Sequence, residues 1–206
     1  MIKYDYIFLD LDGPILDGRL RHYNCYKDII EEMGGTPIGI EDYWSKKRLG
    51  LNKKIVCEES GIDIEYSDFI EKWKNRIEDV KYLKYDVLKP GCVEAIQMMQ
   101  GISKKVCLVT LRNNKDNLIS QLKWLEIDEL FAEVIACPNG EINAKYLALC
   151  NYSFDRAVLI GDTETDIEAA EMLKTDFIGI INGLRTEEIF KGKICYNEIS
   201  EIKWNI

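Results

Sequence analysis

The 206-residue chain has a single histidine, His22, and no CxxC pair among its seven cysteines. One histidine without an obvious partner argues against a Cys–His nucleophile, and cysteines so scattered argue against a zinc site. Several sit inside apolar runs, as Cys107 does in Val106-Cys107-Leu108-Val109, and read as reduced core thiols rather than disulfides. No run approaches the roughly 18 apolar residues of a membrane span. The opening Met1–Tyr6 lacks the basic region, apolar run and small-residue cleavage site of a signal peptide. A cytoplasmic protein with no membrane partner is expected. Positive charge is also short: 27 Lys and Arg stand against 36 Asp and Glu, a formal net charge of −9. Such a chain is a poor binder of nucleic acid, and an anionic substrate has to be held by a local device such as a metal ion. Repeats and low-complexity segments are missing too. A composition of 47% apolar and 31% charged residues places the chain with ordinary globular proteins and excludes disorder.

Five short runs are continuously apolar: Ile7-Phe8-Leu9, Val106–Val109, Val134–Ala136, Ala157–Ile160 and Phe177–Ile181. Strands buried on both faces of a parallel sheet read this way. Helical patterns lie between the runs, at Glu94–Met99, Asp116–Leu125, Ala144–Cys150 and Asp166–Leu173. The alternation predicts a doubly wound α/β parallel sheet. Residues from about Gly18 to about Leu88 break the rhythm. They show no convincing strand, but helix-like stretches near Arg21–Met33, Glu41–Leu49, Lys53–Ser60 and Asp68–Val80. The expectation is a core of residues 1–17 and 89–206 carrying a helical insert, residues 18–88.

The acidic residues fall where those strands end. Asp10-Leu11-Asp12-Gly13 follows the first run, Gly161-Asp162-Thr163-Glu164-Thr165-Asp166 follows the fourth, and Thr110 follows Leu108-Val109. In an open α/β sheet, ligands bind beyond the carboxyl ends of the strands. Asp10, Asp12, Asp162 and Asp166 together would crowd up to four negative charges into one volume, forcing some to take up protons. A hard divalent cation resolves the repulsion, and Mg²⁺ takes oxygen ligands while keeping positions open for water and phosphate. Taken singly, an Asp reads first as a turn residue or helix cap, and Asp162 and Thr163 could simply start the helix at Asp166; it is the set at successive strand ends that points to a site. In extended backbone, the spacing of two puts Asp10 and Asp12 on one side. One can then attack while the other handles a proton, and Gly13 permits a sharp exit into the insert.

At this point the chain resembles the haloacid dehalogenase-like hydrolases. Asp10-x-Asp12-Gly13-x-x-x-Asp17 is similar to their first motif, Thr110 to their second, and Gly161-Asp162-x-x-x-Asp166 to their fourth, in the family's order. The resemblance implies a Rossmann-like core and a Mg²⁺-dependent phosphomonoester hydrolase. It implies Asp10 as nucleophile forming an aspartyl-phosphate and Asp12 as general acid and then general base. Thr110 would hydrogen-bond a phosphoryl oxygen. Mg²⁺ would be held by Asp10, the backbone carbonyl of Asp12, Asp162 and, as ligand or support, Asp166. Asp12 argues for phosphate chemistry within the family, since a departing halide needs no proton. The family's lysine falls to Lys145, the only lysine between Phe131 and Arg156, although the common Lys-Pro pair is missing. Pro14 stands where the family most often has Thr and removes a backbone donor. Thr110 is followed by Leu111-Arg112-Asn113 rather than the commoner Asn or Gly. Arg112 either reaches a substrate phosphate or carboxylate or is a solvated loop charge.

The insert resembles the α-helical cap of the phosphoglycolate phosphatase-like branch, a part that closes over the site, excludes water and contacts substrate. Candidate contacts there are His22, Tyr23, Tyr43 and the basic run Lys46-Lys47-Arg48, while Trp44 and Trp73 are expected to pack the insert's own core. A phosphatase acting on a small phosphorylated metabolite is the leading expectation. A sugar phosphomutase of the same fold and a catalytically silent phosphate- or metal-binding regulator are the alternatives.

Overall fold

The computed structural model describes residues 2–62 and 66–204. In chain order its elements are β1 (Tyr4–Leu9), β2 (Leu16–Asp17), α1 (Arg19–Glu32), α2 (Ile40–Arg48), α3 (Lys53–Glu59), α4 (Tyr66–Arg76), α5 (Val80–Leu83), β3 (Val87–Leu88), α6 (Cys92–Ile102), β4 (Ser103–Leu111), α7 (Lys115–Trp124), β5 (Glu133–Cys137), α8 (Ala144–Leu149), β6 (Ala157–Gly161), α9 (Glu164–Leu173), β7 (Asp176–Ile180) and β8 (Ile194–Tyr196). Two units separate along the chain: residues 1–16 with 88–206, and residues 17–87.

The first unit is built on a six-stranded sheet in the order β5-β4-β1-β6-β7-β8. Its strand pairs run parallel, with Leu9 beside both Leu108 and Ile160. Alternate residues of each central strand enter different cores. Ile7, Leu9, Val106, Leu108, Val158 and Ile160 pack with Ile96 and Met99 of α6 and Leu118 and Leu122 of α7. Phe8, Cys107, Val109 and Leu159 pack with Ala144 and Leu149 of α8 and Ala169 and Ala170 of α9. Helices on both faces explain why these strands are apolar without alternation. This is the doubly wound α/β fold that the alternating pattern predicts. The chain moves from β1 to β4 and β5 on one side, then returns to place β6 on the other. The topological switch thus falls beside β1, where a binding crevice opens in sheets of this kind.

The second unit is helical, α1 to α5. Tyr26, Ile29, Ile30, Tyr43, Phe69, Trp73 and Tyr82 form its core. The Tyr26 hydroxyl is fixed by Ser60 Oγ at 2.6 Å and by the Ile38 N–H, which donates to it at 2.9 Å. A buried ion pair, Arg21 Nε to Asp86 Oδ1 at 3.2 Å, ties the start of the unit to its end. Trp73 is buried, and Trp44 packs against the same cluster.

Several details differ from the sequence expectations. Residues 18–88 contain strand structure after all, because Val87–Leu88 pairs with Leu16–Asp17 in a two-stranded ribbon. The last helix expected in the insert stops at Arg76, and Val80–Leu83 forms a separate turn of helix. The candidate contact His22 is not exposed. It is buried, with its ring stacked at 5.5 Å on Trp73. Tyr43 is likewise committed to the core, stacked at 4.5 Å on Tyr26. In the basic run, Lys46 pairs with Glu59 at 3.2 Å and Lys47 sits 5.8 Å from the Trp73 ring centroid.

Candidate active site

The backbone N–H of Asp10 donates to Ile160 O at 2.9 Å, prolonging the β1–β6 pairing by one residue past Leu9. Asp10 thereby stands at the switch point, directly opposite the end of β6, and Asp162 stands just beyond Gly161. Asp10, Asp162 and Asp166 are all buried, and each offers a carboxylate oxygen within 4.8 Å of the other two. Lys145, at the start of α8, reaches the same point. Its buried Nζ lies 3.0 Å from Asp10 Oδ1 and 2.5 Å from Asp166 Oδ1.

Each carboxylate is held differently. Asp166 Oδ2 accepts the N–H groups of Asp162 and Thr163 and the Thr163 hydroxyl, at 3.2, 3.1 and 2.7 Å. Together with Thr163 as N-cap, this is a capping box, so Asp166 starts α9 with one oxygen and binds Lys145 with the other. Asp162 Oδ2 accepts the N–H of Leu184. Its Oδ1 is buried and has no hydrogen-bond partner among the described residues.

The space around Asp162 exists because two glycines line it. A Cβ on Gly13 would lie 1.9 Å from Asp162 Oδ2, and Gly13 also has φ +102°, which disfavours any side chain. A Cβ on Gly183 would lie 2.1 Å from the same oxygen. Pro14 sits in the turn that follows, between donors already in use: Gly13 N–H to Leu16 O at 3.0 Å and Ile15 N–H to Leu11 O at 3.1 Å.

Burial is the dominant electrostatic influence. It pushes the Asp10 carboxyl up to about 7, helped by Asp166 and Asp12 and opposed by Lys145. Burial also raises Asp162 far above the usual carboxylate range, reinforced by Asp10 and Asp166. For Lys145, burial pulls downward, but Asp10 and Asp166 more than offset it and hold the ammonium well above its ordinary value. Three carboxylates against one ammonium leave two formal negative charges in a dry site. That excess, the all-oxygen donor set and the orphaned Asp162 oxygen fit a hard divalent cation such as Mg²⁺.

The remaining predicted site residues lie around this centre. Thr110 is buried near the carboxyl end of β4, the neighbour of β1. Asp12 does not join the clustered carboxylates. Its two oxygens are held by Arg112, Nη2 to Oδ1 at 2.9 Å and Nε to Oδ2 at 3.1 Å. Arg112 is not a solvated loop charge: it is buried, and its backbone N–H donates to Cys137 O at 2.9 Å. Sequence reasoning missed the segment after β7. Gly183 and Leu184 frame Asp162, and Lys89 Nζ anchors the preceding Asn182 through its carbonyl at 2.6 Å. The strand-end rule that selected Asp10 and Asp162 would have reached this segment, which follows the apolar run Phe177–Ile181.

Comparison with known proteins agrees with the fold. The profile of the haloacid dehalogenase-like hydrolases matches residues 6–180. A phosphoglycolate phosphatase of Rhodobacter capsulatus is 21% identical over 193 residues, covering 87% of this chain and 85% of its own. Among solved structures, a protein provisionally named phosphoglycolate phosphatase from Haemophilus somnus 129pt has TM-score 0.75 at 17% identity, covering 98% of this chain and 97% of its own. A protein provisionally named beta-phosphoglucomutase from Thermotoga maritima has TM-score 0.66 at 18% identity, covering 96% and 95%. The chain belongs to the haloacid dehalogenase-like hydrolase family.

Proposed function

We propose that the chain hydrolyses small phosphomonoesters in a Mg²⁺-dependent reaction that passes through an aspartyl-phosphate on Asp10. The observation that carries this reading is the buried triad of Asp10, Asp162 and Asp166 around Lys145 at the switch point of the sheet. Asp10, the backbone carbonyl of Asp12 and Asp162 would hold the cation, with Asp166 as a further ligand or as support held by Lys145 and the capping box. When bound, Mg²⁺ supplies the positive charge that lets a carboxylate approach an anionic phosphate. An Asp10 oxygen attacks phosphorus in line, and the P–O bond to the alcohol breaks. Asp12 gives a proton to the departing oxygen and later takes one from the water that hydrolyses the acyl-phosphate. Lys145 neutralises charge on Asp10 and the phosphoryl group, and Thr110 donates to a phosphoryl oxygen.

The helical unit, residues 17–87, is proposed as the substrate-selecting cap. The seven free cysteines, five of them buried, fit a reducing, cytoplasmic setting. Among the described residues, no helix is long and apolar enough to cross a membrane. The test is phosphate release from a panel of phosphometabolites, phosphoglycolate included, with Mg²⁺ and with EDTA. Release that requires Mg²⁺ and disappears in Asp10→Asn supports the reading. A wild type that releases nothing with any divalent metal supports the silent regulator instead. Migration of phosphate under a bisphosphate, without release, supports the mutase.

A further inference from the structure

We propose that Arg112 is a positioning residue for Asp12, so that its contribution to turnover passes through that carboxylate and not through the substrate. This rests on the phosphatase reading above, in which Asp12 handles the proton. Asp12, two residues past Asp10, is left out of the metal-type cluster. It lies on the turn from Leu11 to Leu16, and its side chain is 16% exposed, against 3% for Arg112. A carboxylate so placed, less buried than Asp10 at 7%, has two torsions to settle. The arginine fork settles both: two bonds from one rigid guanidinium fix the plane of the carboxylate as well as its position. Arg112 is itself immobilised. Its N–H is bonded to Cys137 O at 2.9 Å, tying it to the end of β5. The next residue, Asn113, accepts the Asn139 N–H through Oδ1 at 2.9 Å. The proton-handling group is thus aimed from β4 and β5 across the sheet edge, not from its own strand. A carboxylate has about four lone-pair positions, so the fork leaves each Asp12 oxygen able to meet the alcohol or the water.

A group acting only through Asp12 must lose its effect when Asp12 can no longer transfer a proton. A leaving group that departs as a stable anion needs little proton donation, whereas an alkoxide needs it. The experiment measures kcat and KM for p-nitrophenyl phosphate and for an alkyl phosphate, with Mg²⁺. The proteins are wild type, Arg112→Lys, Asp12→Asn and the double variant. Arg112→Lys keeps the charge but cannot fork. We expect its kcat on the alkyl ester to fall ~10- to 100-fold, a share of the 10²–10⁴ that general acid–base catalysis supplies. The fall on the aryl ester is expected to be several-fold smaller, KM to change less than about twofold, and the double variant to match Asp12→Asn. Arg112→Gln, uncharged and able to donate singly, is the second variant should the lysine fold poorly. The ratio of losses on the two esters comes from one preparation, so a fall in folded fraction moves both equally and leaves the ratio untouched. Equal losses on both esters, a loss confined to KM, or losses that multiply in the double variant would overturn the assignment while the phosphatase reading stands. A wild type inactive on both esters overturns that reading and this assignment together.

Discussion

At the scale of the residue, the site is defined as much by missing atoms as by charged ones. Asp162 keeps a buried, unbonded Oδ1 while its Oδ2 touches the space a Cβ would need at Gly13 and Gly183. Gly183→Ala is the more informative test, because Gly13 also carries a positive φ and any substitution there strains the backbone. We expect Gly183→Ala to fold and to weaken Mg²⁺ binding about 10- to 100-fold, the usual effect of disturbing a group that orients a metal ligand. Calorimetric titration with Mg²⁺ checks this; unchanged affinity would mean that Asp162 is not a ligand.

At the scale of the element, each side chain of the site is delivered by the end of a strand or the start of a helix. Thr163 and Asp166 close the capping box of α9, so the segment that begins the helix also sets the distance from Asp166 to Lys145. Thr163→Ala should cost about 1 kcal/mol of stability; denaturant unfolding measures it, and a neutral result would remove the cap from the account. The elements legible in the sequence were those with a full period to show. β1, β4 and β6 were readable because both faces of their inner stretches are covered, leaving the continuous apolar runs Ile7–Leu9, Val106–Val109 and Ala157–Ile160, and the ends of those runs then pointed to Asp10, Thr110 and Asp162. β2 and β3, two residues each, present no pattern at all. β8 is three residues long at the sheet edge, its Ile194 and Cys195 exposed, and carries no buried alternation. The fork of Arg112 on Asp12 was illegible for another reason: residues a hundred positions apart meet only once β1 and β4 are paired. The same holds for Leu184 on Asp162.

At the scale of the molecule, the cluster carries a cost that a cation is suited to relieve. Asp10, pushed up to about 7 by burial, lies above its unfolded value of about 3.9. Between those values the folded chain binds more protons than the unfolded one, so stability is greatest below that window and falls as pH rises through it. Asp5 acts in the opposite sense. The Lys104 ammonium and the N–H groups of Arg156 and Asp155 lower it to about 2, so its contribution is lost as pH falls towards that value. Thermal unfolding in EDTA should therefore show stability declining from about pH 4 to about pH 7, and Mg²⁺ should flatten the decline by stabilising the ionised carboxylates. Superimposable curves with and without Mg²⁺ would contradict the metal assignment.

The central claim is that Asp10 becomes covalently phosphorylated during turnover. Rapid acid quenching of enzyme, Mg²⁺ and a turned-over phosphomonoester, followed by peptide mass spectrometry, tests it directly. The account predicts a phosphoryl group on the peptide carrying Asp10, absent from Asp10→Asn and from reactions in which EDTA replaces Mg²⁺. A phosphoryl group on another residue, or turnover in Asp10→Asn at the wild-type rate, would contradict it.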